Sequence, residues 1–170
     1  MRSELIIAKQ LTMRGRMAYA LACLESLAAK LNFSSPEYRE LLALLWEFTE
    51  TNNYRAWNLK LTASKWKYVR AMGFWTVNHE NRSKPAPNRE QFSDAPEALI
   101  AILGLCAAIG EAHLYGGFES KDSECYLDKM IMILSEQGVQ LPSSARFQEN
   151  ALLQLSDGIG FAAPRSFYMD

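Results

Sequence analysis

Two histidines, three cysteines and a run of carboxylates are the residues of this chain whose chemistry could be put to use. His113 follows Glu111 by two positions in GEAHLYGG. Residues two apart on a helix point about 200° away from each other, so this pair makes a poor metal site. A favourable contact of His113 with the C-terminal end of its helix is the simpler role. His79 and Glu80 are adjacent in a polar stretch, and a solvated loop explains them better than an acid/base pair. Cys23 stands in the apolar run Leu21–Leu24, where a thiol packs; a nucleophile would need a neighbouring base and a lowered pKa. The chain has no nucleophile elbow, zinc-protease motif, phosphate loop or dinucleotide fingerprint. Nor does it have the Glu-x-x-His pairs of a di-iron bundle. No catalytic, cofactor or metal site is expected, and the chain does not read as an enzyme.

Charge is the remaining chemical signal. The 170 residues carry a formal net charge of −1, but unevenly. Residues 1–53 balance. Residues 54–89 hold eight basic side chains against Glu80, a net of +7. Residues 90–170 hold four basic and twelve acidic, a net of −8. Within the acidic block, Glu119, Asp122, Glu124, Asp128 and Glu136 are candidates for a patch that steers a basic partner. The plain alternative is a solvated helix face. Within the basic block, Lys65, Trp66, Lys67 and Arg70 interleave cations with an aromatic ring, and Trp57, Tyr68 and Trp75 lie nearby. Such a segment could contact phosphates and stack bases. It could equally be core aromatics whose basic neighbours reach outward. Mutual pairing of the two charge blocks within the fold is a further account.

These residues need a scaffold, and the periodicity supplies a helical one. The stretch Asp94–Gly117 contains no charged or hydroxyl side chain between Ala98 and Ile109. A helix apolar on every side is a buried helix. Asp94 is a fitting N-cap, with Pro96 and Glu97 in the first turn and Gly116-Gly117 as the stop. Spanning a bilayer takes about 20 apolar residues, and this run falls short. A first helix is expected over about 3–31, with Met13, Met17, Ala20, Leu24, Leu27 and Leu31 as its seam and a weak point or bend at Gly15. Ser35-Pro36-Glu37 starts the next, which carries Tyr38, Leu41, Leu42, Leu45, Trp46 and Phe48–Thr49 inward and ends near 51–53. Residues 53–63 and 64–72 read as two short helices, with a hairpin as the runner-up. Residues 78–93 read as an exposed loop. Helices follow at about 121–137, closed by Gly138, and at about 144–155. The apolar tail 157–170 packs back on the body or meets a partner. The expectation is a single all-α domain over 1–170: a bundle of about six or seven helices around a buried central helix (95–115). The odd number of cysteines, each within an expected helix, points to reduced thiols in a cytoplasmic setting.

In organisation the chain resembles the all-α immunity proteins that accompany bacterial polymorphic toxins. The stretches ELLALLWEFTETNNYRAW and DAPEALIAILGLCAAIGEAHLYGG carry the resemblance, which extends over most of the length. No diagnostic motif matches residue by residue, so no functional position transfers. The resemblance implies a cytoplasmic bacterial protein that neutralises a cognate toxin by binding it, without cofactor or chemistry of its own. An acidic face would suit a nuclease toxin, whose own site attracts phosphate. A nucleic-acid-associated protein using residues 54–89 is the alternative.

Overall fold

A computed structural model describes residues 10–63, 65–69, 71–72, 92, 94–116, 121–152 and 158–169. It is an all-α bundle. The helices are α1 (Met13–Lys30), α2 (Pro36–Glu50), α3 (Tyr54–Leu61), α4 (Glu97–Gly116), α5 (Lys121–Glu136), α6 (Ala145–Leu152) and α7 (Arg165–Met169). No strand occurs among the described residues, so the hairpin alternative is not adopted at 54–63, 65–69 or 71–72. The loop expected at 78–93 lies outside the described residues except for Phe92, which is buried.

α4 is the buried helix its composition requires. Leu99, Ile100, Ile102, Leu103, Leu105, Cys106, Ala107 and Ile109 are all in the core. Its start is displaced from expectation: Ile100 N–H donates to the Pro96 carbonyl at 3.2 Å, so Pro96 stands at the cap position where Asp94 was expected. At 20 residues, α4 is also long and apolar enough to cross a membrane, so length does not exclude that role as the sequence suggested. Its burial by neighbouring helices marks it as interior.

α1 shares the centre. The first helix does not run unbroken from residue 3: residues 1–9 lie outside the described range, and α1 begins at Met13 behind Thr12. The Thr12 hydroxyl accepts from Gly15 N–H at 3.1 Å, so Gly15 lies in the first turn and marks no bend. From Met13 to Leu24 every residue is buried, on all sides and not along one seam. Small side chains at Ala18, Ala20 and Ala22 let neighbouring helices close in. α1 packs against α2, α4, α5, α6 and α7, and α4 packs against α1, α2, α3 and α5.

The expected punctuation recurs at several ends. Ser35 caps α2, its hydroxyl accepting from Tyr38 N–H at 3.1 Å, with Pro36 in the first turn. Gly138, at φ 61°, ends α5 in a left-handed turn in which Val139 N–H donates to Leu134 C=O at 3.0 Å. Lys30 covers the same end, its ammonium donating to the carbonyls of Gln137 and Gly138 at 2.7 and 2.6 Å.

The tail folds back, which is one of its two expected fates. Met13 and Arg14 N–H donate to the carbonyls of Gly158 and Ile159, and Ala163 exchanges bonds with Thr49. α7 then places Tyr168 in the core, stacked on Phe147 and Trp46. Glu25 of α1 holds this end by accepting from Trp46 Nε1 at 2.8 Å and from Arg165.

Candidate partner-binding face

The acidic residues of α5 do not act together. Successive helical residues turn by about 100°, so Asp122 and Glu124 point to opposite sides. The inward side is set by Ser123, Leu127, Met130, Ile131 and Leu134. Glu124 borders that face and accepts from Arg16 Nη2 at 3.0 Å, while Ser123 Oγ accepts from Nη1 at 2.8 Å. Glu124 is therefore an internal counter-ion, which removes it from the expected patch. Asp122 and Glu136 are exposed, Asp128 is half-buried, and Glu119 lies outside the described residues. On the outer side, Met132 is 53% exposed. Asp128 and Glu136 stand one turn before and one turn after it, and Cys125 is exposed on the same side. The surface α5 offers is thus an apolar residue with a carboxylate one turn away on either side, and Lys121 and Lys129 on the same flank.

Arg16 belongs to a polar interior at one end of the bundle that sequence reading missed. Its guanidinium is buried, and burial lowers its pKa against the opposing pull of Glu124. Arg14 is buried beside the tail: it donates to Gly160 O at 3.0 Å, to Thr51 O at 2.7 Å and to Asn52 Oδ1 at 2.9 Å, and lies 5.6 Å from the Tyr54 ring centre. His113 is buried near Phe48, their ring centres 6.0 Å apart. Burial, with Arg16 adding to it, pushes its pKa down to about 3. At neutral pH it is an uncharged imidazole, which corrects the expected charge–dipole role at the end of α4. The thiols of Cys23 and Cys106 are likewise held protonated by burial, Cys23 being pushed up to about 12. These groups hold the bundle together and are shut away from any reactant.

The basic segment divides in the same way. Trp66 is only 4% exposed, near Phe92, and Trp57 is fully buried with its Nε1 donating to Leu44 O at 2.8 Å. Neither indole offers a face on which a base could stack. Lys65 and Lys67 are exposed, and Arg70 lies outside the described residues. Lys65 pairs with Glu40, and Lys60 pairs with Glu47 at 2.6 Å. The partners of Lys60 and Lys65 are thus carboxylates on the outer face of α2. Neither of these two pairs reaches the acidic block.

A groove of about 400 Å³ opens between α1, α6 and α7, floored by Ala22, Phe147 and Tyr168 and edged by Ser26, Arg146 and Met169. The Ser26 hydroxyl is already donated to Ala22 O at 3.0 Å.

The fold and this surface define an all-α bundle with an exposed helix face on which an apolar residue stands among charges. Compared with known protein families, curated proteins and solved structures, the chain matches none.

Proposed function

We propose that this chain is a non-catalytic protein-binding module, an inhibitor of the immunity type that neutralises a cognate toxin in the cytoplasm by occupying it. The observation that carries this reading is the outer face of α5, where the exposed Met132 stands between Asp128 and Glu136. An apolar anchor ringed by charge is the arrangement that protein interfaces use: the anchor supplies affinity and the rim supplies steering and selectivity. The carboxylates favour a basic partner surface, such as the phosphate-attracting site of a nuclease. The buried polar groups fit the same reading, because Arg16, Glu124 and His113 are committed to the interior.

The test is affinity capture from lysate of the producing cells, with nuclease treatment throughout, using wild type and Met132→Lys/Asp122→Lys in parallel. The captured protein is then expressed in a host with and without this chain. The expected result is one protein retained by wild type, lost by the variant, and toxic unless this chain is co-expressed. A captured protein that is harmless alone, or held equally well by the variant, would refute the proposal. Recovery that vanishes with nuclease would instead favour the basic segment and nucleic acid.

A further inference from the structure

His113 stands in the last turn of α4, 6% exposed, and neither of its ring nitrogens has a hydrogen-bond partner among the described residues. A buried imidazole left unbonded at both nitrogens gives up the hydrogen bonds that water would make to it. The four helices packed on α4 surround it with different groups. From α2, Phe48 lies alongside the ring. From α3, Tyr54 packs on Phe48, their centres 5.0 Å apart. From α1, the guanidinium of Arg16 is close enough for its charge to act on the imidazole. From α5, Glu124 and Ser123 hold that guanidinium. On α4 itself, Glu111 is two residues back and points to another side. A proton on His113 therefore sets a second buried cation beside Arg16, with Glu124 already committed to the first.

We infer that this junction is an acid-sensitive latch: protonation of His113 releases the last turn of α4 and the first turns of α5 from α1 while the rest of the bundle stays folded. The opening is local because this end is thinly sealed. Glu111, Ala112 and Leu114 are half-buried and Lys121 and Asp122 are exposed, whereas Leu99, Ile102, Leu103, Leu105 and Ile109 are fully buried. Segments with few buried apolar contacts open at a lower free energy than the core. What the latch governs is the seating of α5, the helix that carries Met132. The inference concerns the chain alone and does not rest on the proposed function. Its sign follows from burial. The closed ring is neutral, with its pKa at about 3, and the opened ring titrates near 6.5, so opening takes up a proton below pH 6.5. Between pH 7 and pH 5 the opening constant rises about 25-fold. Carboxylates in water titrate mostly below that window. The same proton also favours global unfolding, so the latch is distinguished by where the opening occurs.

Amide hydrogen exchange of the full chain, resolved by NMR between pH 7 and pH 5 and corrected for intrinsic rates, tests it. Urea up to about 1 M separates the two kinds of opening, because a local one exposes little surface and responds weakly to denaturant. The amides of Ala112–Leu114 and Cys125–Leu127 are expected to exchange through an opening that urea hardly affects. Their protection should fall about 25-fold from pH 7 to pH 5. The amides of Leu99–Ile109 should follow global unfolding, with its full response to urea. His113→Gln cannot take up the proton, and in it the pH dependence of the local exchange should shrink to less than about twofold. Exchange through global unfolding alone, a local opening indifferent to pH, or an unchanged pH dependence in His113→Gln would each overturn the inference. Should the variant lose its helical circular dichroism, the ring nitrogen shifts of wild type decide. A neutral imidazole in the folded chain at pH 5, beside the rise in local exchange, supports the latch; an imidazolium there overturns it.

Discussion

Gly110 is the position where two strong rules oppose each other, and the structure says which wins. It lies inside α4, where replacing glycine by alanine ordinarily stabilises a helix by about 1 kcal/mol. A Cβ at Gly110 would stand 2.3 Å from Trp57 Cη2 and 3.0 Å from Cζ3. Carbon atoms in contact sit about 3.5–4.0 Å apart, so the ring would have to retreat by more than 1 Å. It has nowhere to go. Trp57 is 1% exposed, its Nε1 donates to Leu44 O at 2.8 Å, and its ring stands edge-on to Phe48 with centres 4.9 Å apart. Overpacking costs about 1–3 kcal/mol, and tearing the indole from its carbonyl adds about 1–3 kcal/mol for a buried unpaired group. Gly110→Ala should therefore lose about 1–5 kcal/mol net, with a central value of about 3. In a chain of this length the central value lowers the melting temperature by roughly 6–12 °C. Urea unfolding followed by far-UV circular dichroism reads the loss as a shifted midpoint at constant slope. The control is Trp57→Phe, which removes the clashing atoms. Combined with Gly110→Ala, it should cost at least about 1 kcal/mol less than the two single losses together. Stability equal to or above wild type in Gly110→Ala would refute the reasoning, and additive losses would show that the strain lies elsewhere.

Two further predictions concern the polar end of the bundle. His113 titrates near 6.5 when unfolded and at about 3 when folded, so the unfolded chain binds the extra proton as pH falls below 6.5. The stability it contributes is complete above that value and is lost progressively down to about pH 3. Between pH 7 and 5 the share from this one group is about 2 kcal/mol. His113→Phe should remove about that much of the pH dependence in urea titrations at the two pH values; an unchanged dependence would mean that the imidazole is not buried neutral. Glu124→Ala strands the buried Arg16 guanidinium and should cost about 2–3 kcal/mol, much of it recovered in Arg16→Met/Glu124→Leu. Asp122→Ala, on the outer side of the same helix, should stay within about 0.5 kcal/mol of wild type in the same assay, which separates the two acidic positions.

Most of the scaffold was legible in the chain because helix signals are local. Ser35-Pro36-Glu37 carries its own cap, Gly138 its own stop, and the uncharged run in α4 its own burial. The centrality of α1 was readable by the same rule but went unread, because Arg14 and Arg16 look like surface charges. Between Met17 and Leu24, however, α1 is as free of charge as α4, and the two arginines begin a helix that is buried all round. What sequence could not supply is their partners. The Gly160 carbonyl is 146 residues from Arg14, and Ser123 is 107 from Arg16. No local pattern announces contacts at such separations.

The acidic candidates show the same limit in angular form. Read along the chain, Asp122, Glu124, Asp128 and Glu136 are one block of negative charge. Wound into α5, they fall on two sides of a helix whose inner face is fixed by Leu127, Met130 and Leu134. The block therefore performs two separate tasks. Glu124 neutralises a buried guanidinium and ties α5 to α1. Asp122 and Glu136 remain in solvent, with Met132 exposed between their positions in sequence. The strength of a charge block says little about binding until the helix has been wound; the number of its members left facing outward, and the apolar residue left among them, set what the surface can hold.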